Sequence, residues 1–156
     1  MEYTLNEAEQ KLANFLAQSR YQSNRNSGVT NNKIGPQSDA ETDLNGIGSE
    51  LAFCRMFNVY PDMSISPRSG GADCFRSGFE IDVKTTRYPS GRLLAVTTKK
   101  LKDADIYVLM VGDFPTYRFA GFATAQELLN PEKITNLGYG PTYALSQAEL
   151  HKEFQP

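Results

Sequence analysis

The sequence predicts one α/β domain of the α+β kind, a mixed central β-sheet of about five strands flanked by helices. Three observations predict it. Apolar residues recur at three- and four-residue steps over 5–20 and again over 45–58, the period of a helix with one buried face. From residue 72 to 122 the pattern changes to short β-branched and aromatic runs punctuated by Gly and Pro. The length, 156 residues, is that of a single domain, 1–156, with room for a sizeable core.

Residues 5–20 read as the first helix. Leu5, Ala8, Leu12, Phe15 and Leu16 form its apolar stripe, and Asn6, Glu7 and Glu9 place N-terminal groups in its first turn. Residues 22–43 are rich in Ser, Asn, Gly and Thr and contain Pro36. They predict a long connection, mobile until something binds. It is not an interdomain linker, because the N-terminal helix cannot fold alone. Residues 45–58 read as the second helix, capped by Asn45, with Ile47, Leu51, Cys54 and Phe57 along one stripe. Phe53 and Met56 widen that stripe, and Pro61 ends the region. Strands are expected at 72–76, 78–86, 92–98 and 105–112, with a hairpin turn at Pro89-Ser90-Gly91 between the second and third. A fifth strand spans Thr116–Phe122. Thr124–Leu129 reads as a capped helix stopped by Pro131, and the tail as a short helix, Ser146–Glu153.

Composition narrows the function classes. Hydrophobic residues make up 40% and charged residues 22%, the balance of a globular chain in water. The longest apolar run, Ile106–Val111, is too short for a membrane span. Met1-Glu2-Tyr3-Thr4 lacks the basic flank and apolar core of a secretion signal. The only cysteines, Cys54 and Cys74, have no CxxC spacing. They predict buried reduced thiols and a cytoplasmic location. A single histidine, His151, expected on an exposed terminal helix, rules out a histidine-rich metal centre within one chain and a Ser-His-Asp assembly. Any metal is then a hard cation held by oxygen. No P-loop is present, so no nucleotide cofactor is expected.

The chemistry gathers between residues 70 and 102. Gly70-Gly71-Ala72-Asp73 precedes Phe79-Glu80-Ile81-Asp82-Val83-Lys84-Thr85-Thr86. On a strand, Glu80, Asp82 and Lys84 share one face and Phe79, Ile81 and Val83 the other. Two carboxylates suit Mg²⁺, and an ammonium beside them suits a water attacking a phosphodiester. From Lys84 to Lys102 the chain carries Lys84, Arg87, Arg92, Lys99, Lys100 and Lys102 and no acid, although the net charge is −2. Asp39, Glu41, Asp43 and Glu50 lie upstream. The asymmetry fits an acidic centre beside a basic track for phosphates. Arg20, Arg25 and Lys33, in or beside the polar stretch, are placed to close over a substrate.

Asp73 followed by Asp82-Val83-Lys84 resembles the core of the PD-(D/E)XK nuclease superfamily, which includes restriction-type endonucleases, Holliday-junction resolvases and recombination exonucleases. Gly48-Ser49-Glu50-Leu51-Ala52-Phe53 resembles the helix whose glutamate completes the metal site in many members. The likeness extends to Ala104-Asp105-Ile106-Tyr107-Val108-Leu109 and Gly121-Phe122-Ala123-Thr124, so it runs from about residue 44 to 129. Ala72 stands where the family has a variable proline.

The resemblance implies a restriction-endonuclease-like core and Mg²⁺- or Mn²⁺-dependent hydrolysis of DNA to a 5′-phosphate and a 3′-hydroxyl. Under that resemblance Asp73, Asp82, Glu50 and the Val83 carbonyl are metal ligands, and Lys84 is the group that orients the water. Glu80 and Thr86 are auxiliary, and Arg87, Arg92, Lys99, Lys100 and Lys102 contact the nucleic-acid backbone. The expected context is a bacterial or phage-infected cell, and a resolvase-like, structure-selective member would work as a homodimer. The alternatives are an RNA-directed nuclease and a nuclease-fold module that binds nucleic acid or protein without cutting.

Overall fold

The computed structural model describes residues 1–26, 39–64 and 73–155. Its order is β1 (Glu2–Thr4), α1 (Glu7–Asn26), α2 (Asp39–Phe57), β2 (Cys74–Arg76), β3 (Phe79–Thr86), β4 (Leu93–Val96), β5 (Ile106–Asp113), β6 (Thr116–Thr124), α3 (Ala125–Leu128), β7 (Ile134–Asn136) and β8 (Pro141–Leu145). The fold is mixed α/β. Five strands form a mixed sheet in the order β1-β6-β5-β3-β2, and β4-β8-β7 form a separate sheet. Only the β3–β5 pair of the large sheet is parallel.

Two cores flank the large sheet. On one face Ile81, Val83, Ile106, Val108 and Met110 pack under α1 and α2 with Leu16, Leu51, Phe53 and Cys54. On the other, Tyr107, Leu109 and Val111 pack against Leu93 of β4, Leu145 of β8 and Leu128 of α3. The alternation expected of β3 therefore holds, and its Asp82 face looks toward the small sheet.

The helices depart from expectation at their ends. Helix α1 starts with a reciprocal cap, Glu9 N donating to Asn6 Oδ1 and Asn6 N to Glu9 Oε1, each at 2.8 Å. It continues to Asn26, and α2 begins at Asp39. The expected 22–43 connection is thus helical at both ends, and its middle, 27–38, lies outside the described residues, as does Lys33. Asn45 is not a cap. It sits inside α2, where its Oδ1 accepts hydrogen bonds from Phe114 N at 3.0 Å and the Tyr117 hydroxyl at 2.8 Å. One turn later, a Cβ on Gly48 would meet the Tyr117 hydroxyl at 2.5 Å and the Phe114 ring at 2.8 Å. The glycine lets α2 sit directly on the β5–β6 connection.

All five expected strands form, but three more accompany them and the pairing differs. Pro89-Ser90-Gly91 does not close a hairpin, because β4 leaves the large sheet and pairs with β8. Thr124 caps α3 as expected, with a full capping box to Glu127. The expected Ser146–Glu153 helix is only a single 3-10 turn, Gln147–Glu149, and His151 instead bridges to Phe122. The short strands β1, β7 and β8 escape sequence reading because three to five residues show too little alternation.

Candidate functional site

Strand β3 carries the centre. Asp82 is only 5% exposed, because the loop after β4 folds over its face. Lys84, two residues on, places Nζ 3.1 Å from Asp82 Oδ1. Lys99, from that loop, places Nζ 3.4 Å from Asp82 Oδ2. Two turns fix the loop: Lys99 N donates to Val96 O at 3.0 Å, and Lys100 N to Asp103 Oδ2 at 2.8 Å. Lys99 therefore joins Lys84 at Asp82. Its role is invisible in sequence, since a fold of the chain brings it across 17 residues.

Asp73 lies where β2 begins. Its Oδ2 accepts a hydrogen bond from Val83 N at 2.7 Å, in place of a backbone carbonyl. The N–H and C=O of one strand residue point to the same side, so the Val83 carbonyl faces the same edge of β3 as Asp73. Glu50 is 8% exposed and belongs to α2, on the opposite face of the sheet from Asp82. Its Oε2 lies 3.6 Å from Arg20 Nη1 of α1. The other nitrogens of Arg20 donate to Ser64 O at 2.7 Å and Asp62 O at 2.6 Å, tying both helices to the chain before Asp73. Ser49, beside Glu50, hydrogen-bonds the Thr85 hydroxyl of β3, which pins this turn of α2 to the strand.

Cys54 and Cys74 are buried and unbridged, as expected of core thiols. The hydrogen bond to Cys74 pushes the Cys54 thiol up, with burial and the charges of Glu50 and Asp73 adding to it. Such a thiol is a poor nucleophile. Tyr107 is Asp82's partner in the parallel β3–β5 register. Its buried hydroxyl has no hydrogen-bond partner among the described residues, and burial, followed by the charges of Asp82 and Asp103, raises its pKa.

The remaining predicted residues separate into two groups. Glu80 is half-buried on Asp82's face, and its backbone N–H donates to Asp105 Oδ2 at 2.9 Å. The Thr86 hydroxyl accepts from Tyr88 N at 3.2 Å, a local turn contact. Arg87 is paired with Asp113 at 3.0 Å. Arg92, Lys100 and Lys102 are exposed. The Arg25 side chain lies outside the described residues.

The donors in this region are hard oxygens, the right chemistry for Mg²⁺. Their arrangement does not fit one. Among the described residues no group of three His, Cys, Asp or Glu side chains comes together as a metal cage. Asp82 is engaged by two ammoniums and Glu50 by a guanidinium.

The sequence profile of a family of unknown function, DUF5843, matches residues 1–114. That is most of the chain, and it includes Glu50, Asp73, Asp82, Lys84 and Lys99, so the protein belongs to DUF5843. No curated protein and no solved structure matches it. Among the described residues, no helix is long and apolar enough to cross a membrane.

Proposed function

For this member of DUF5843, we propose a nuclease of the PD-(D/E)XK type that hydrolyses DNA phosphodiester bonds and leaves a 5′-phosphate and a 3′-hydroxyl. One observation carries the proposal. A buried carboxylate, Asp82, faces Lys84 and Lys99 on a mixed sheet, on the strand whose Val83 N–H donates to Asp73.

The two ammoniums suit the nonbridging oxygens of a phosphodiester and the charge that builds on them as water attacks. Lys84 orients that water. The new bond joins the water oxygen to phosphorus, the bond to the 3′-oxygen breaks, and that oxygen takes up a proton. Arg92, Lys100 and Lys102 supply backbone contacts outside the centre. Mg²⁺ or Mn²⁺ is the cofactor that the sequence resemblance implies. The carboxylates as arranged do not form its cage, so binding the phosphate and orienting the water fall to the chain's own groups.

Cleavage of labelled duplex, single-stranded and branched DNA and of RNA, with Mg²⁺, Mn²⁺ or EDTA, tests the proposal beside Lys84→Ala. Cutting that needs metal and is lost in the variant supports it, and the preferred substrate names the class. The internal neutralisation of Asp82 favours a second reading, a module that binds nucleic acid without cutting. Binding retained with no cutting on any substrate selects it.

A further inference from the structure

We propose that Tyr60 and Phe75 form a stacking platform for unpaired bases, and that the substrate taken beside Lys84 and Lys99 is single-stranded DNA or the single-stranded segment of a branched molecule. The inference rests on the nucleic-acid substrate proposed above and adds its strandedness.

Three neighbouring segments of the chain bring the two rings to the face of Asp82. In the β2–β3 pair Cys74 stands opposite Ile81, and Phe75 opposite Glu80. Cys74 and Ile81 are buried on the helix side, so Phe75 and Glu80 take the other face, that of Asp82 and Lys84. Arg76 returns to the helix side, where it donates to Phe57 O and lies over the Phe154 ring. Beyond β2, Pro61 makes an antiparallel bridge to Cys74, and Asp62 N donates to Asp73 O at 3.2 Å. The same register sets Tyr60 opposite Phe75. Both rings are open to solvent, Phe75 60% and Tyr60 80% exposed. By contrast, Phe53, Phe57, Phe119 and Phe154 stack on one another on the helix side.

Charge complements the rings. Phe75 is the diagonal cross-strand neighbour of Asp82, a backbone separation of about 7–8 Å. At Asp82 the ammoniums of Lys84 and Lys99 converge, and one carboxylate against two ammoniums leaves positive charge for a phosphate. Lys100 and Lys102 are exposed in the loop that carries Lys99. Glu80, beside Phe75, repels phosphate but accepts hydrogen bonds from the amino groups of bases. The bases therefore lie over the rings and the backbone runs toward the lysines. A single strand can turn its bases onto an aromatic surface, whereas duplex bases are already stacked on one another.

The chain has no tryptophan, so Phe75→Trp places one fluorophore in the platform. With EDTA present to prevent cutting, this variant is titrated with a single-stranded oligothymidylate and with a duplex of equal length. The single strand should quench the emission to saturation, and the duplex should leave it nearly unchanged. Fluorescence anisotropy of labelled DNA compares wild type with Phe75→Leu and Tyr60→Leu, which keep apolar bulk but remove the aromatic face. Each should weaken single-strand binding about five- to 150-fold and leave duplex binding unchanged. Equal single-strand affinity in wild type and both leucine variants, with the emission unmoved, overturns the platform and leaves the nuclease reading standing. Failure of the wild type to bind any nucleic acid overturns both. An emission shift that grows with protein concentration and needs no DNA gives the rings to a second copy of the chain and overturns the proposal. Thermal melts show which variants are folded, and the folded ones decide the outcome.

Discussion

Arg20 of α1 and Glu50 of α2 stand 3.6 Å apart, with side chains 13% and 10% exposed. The contact joins two helices that are consecutive in the chain and locks the candidate centre's helix-borne acid in place. Removing one member of a buried ion pair weakens the support of the other charge and costs up to several kcal/mol. Arg20→Met should therefore lower stability by about 3 kcal/mol, read as a drop in the urea midpoint with an unchanged slope. A shift within error would mean that Glu50 draws its support elsewhere.

Gly48 and Asn45 hold α2 against the β5–β6 connection. A methyl at residue 48 would overlap the Tyr117 hydroxyl and the Phe114 ring. Gly48→Ala should destabilise despite alanine's better helix propensity, by about 1–3 kcal/mol. Asn45→Ala removes an acceptor shared by Phe114 N and the Tyr117 hydroxyl and should cost about 1–3 kcal/mol. Chemical denaturation measures both.

Asp82→Asn should abolish cleavage while keeping or strengthening DNA binding, because it removes a negative charge that competes with phosphate for two lysines. Lys84→Ala should lower turnover far more than affinity. Single-turnover cleavage beside equilibrium binding separates the two effects. Normal cutting by Asp82→Asn would place the chemistry elsewhere.

The exposed cations Arg92, Lys100 and Lys102 should each contribute about one unit to the slope of log affinity against log salt. Arg87 should contribute less, since Asp113 already holds its guanidinium at 3.0 Å. An unchanged slope on neutralising Lys100 and Lys102 together would move the nucleic acid to another face.

Glu149 offers a pH test far from the centre. The Lys133 ammonium at 2.7 Å, then the Ser146 N–H and hydroxyl, hold its carboxyl down at about 2. A depressed carboxyl stabilises the fold above its ordinary value of 4.5, and that contribution fades as pH falls toward 2. A carbon NMR titration should find the midpoint near 2 in the wild type. Lys133→Met should raise it toward the ordinary value.

Long periodic segments are legible in the sequence. The core face of α2, the alternating faces of β3 and the apolar run of β5 follow from local period alone, whereas in α1 Ala13 and Ala17 are buried with Leu16 while Ala8 and Phe15 of the expected stripe are exposed. The helix ends do not. Polar residues 39–43 lack a continuous apolar stripe, yet they belong to α2, because an established helix adds turns at little further cost. Strand β4 is legible as a strand but not in its place, since a turn sequence says where a chain bends and not which strand it next pairs with. In the centre, Asp82 and Lys84 are legible because two-residue spacing puts both on one face. The pairing of Lys99 with Asp82 and of Arg20 with Glu50 is not legible, because each reaches its acid through a contact distant in sequence.

The sequence by itself determined the secondary-structure alphabet, the two faces of β3 and the identity of its charged residues, all set by chemistry repeating over two to four positions. Only the tertiary structure decided that Asp82 is buried, that Lys99 shares it with Lys84, and that Glu50 lies across the sheet with Arg20. Burial and charge pairing depend on which surfaces meet when the loop after β4 folds over β3, and such contacts leave no local period to read.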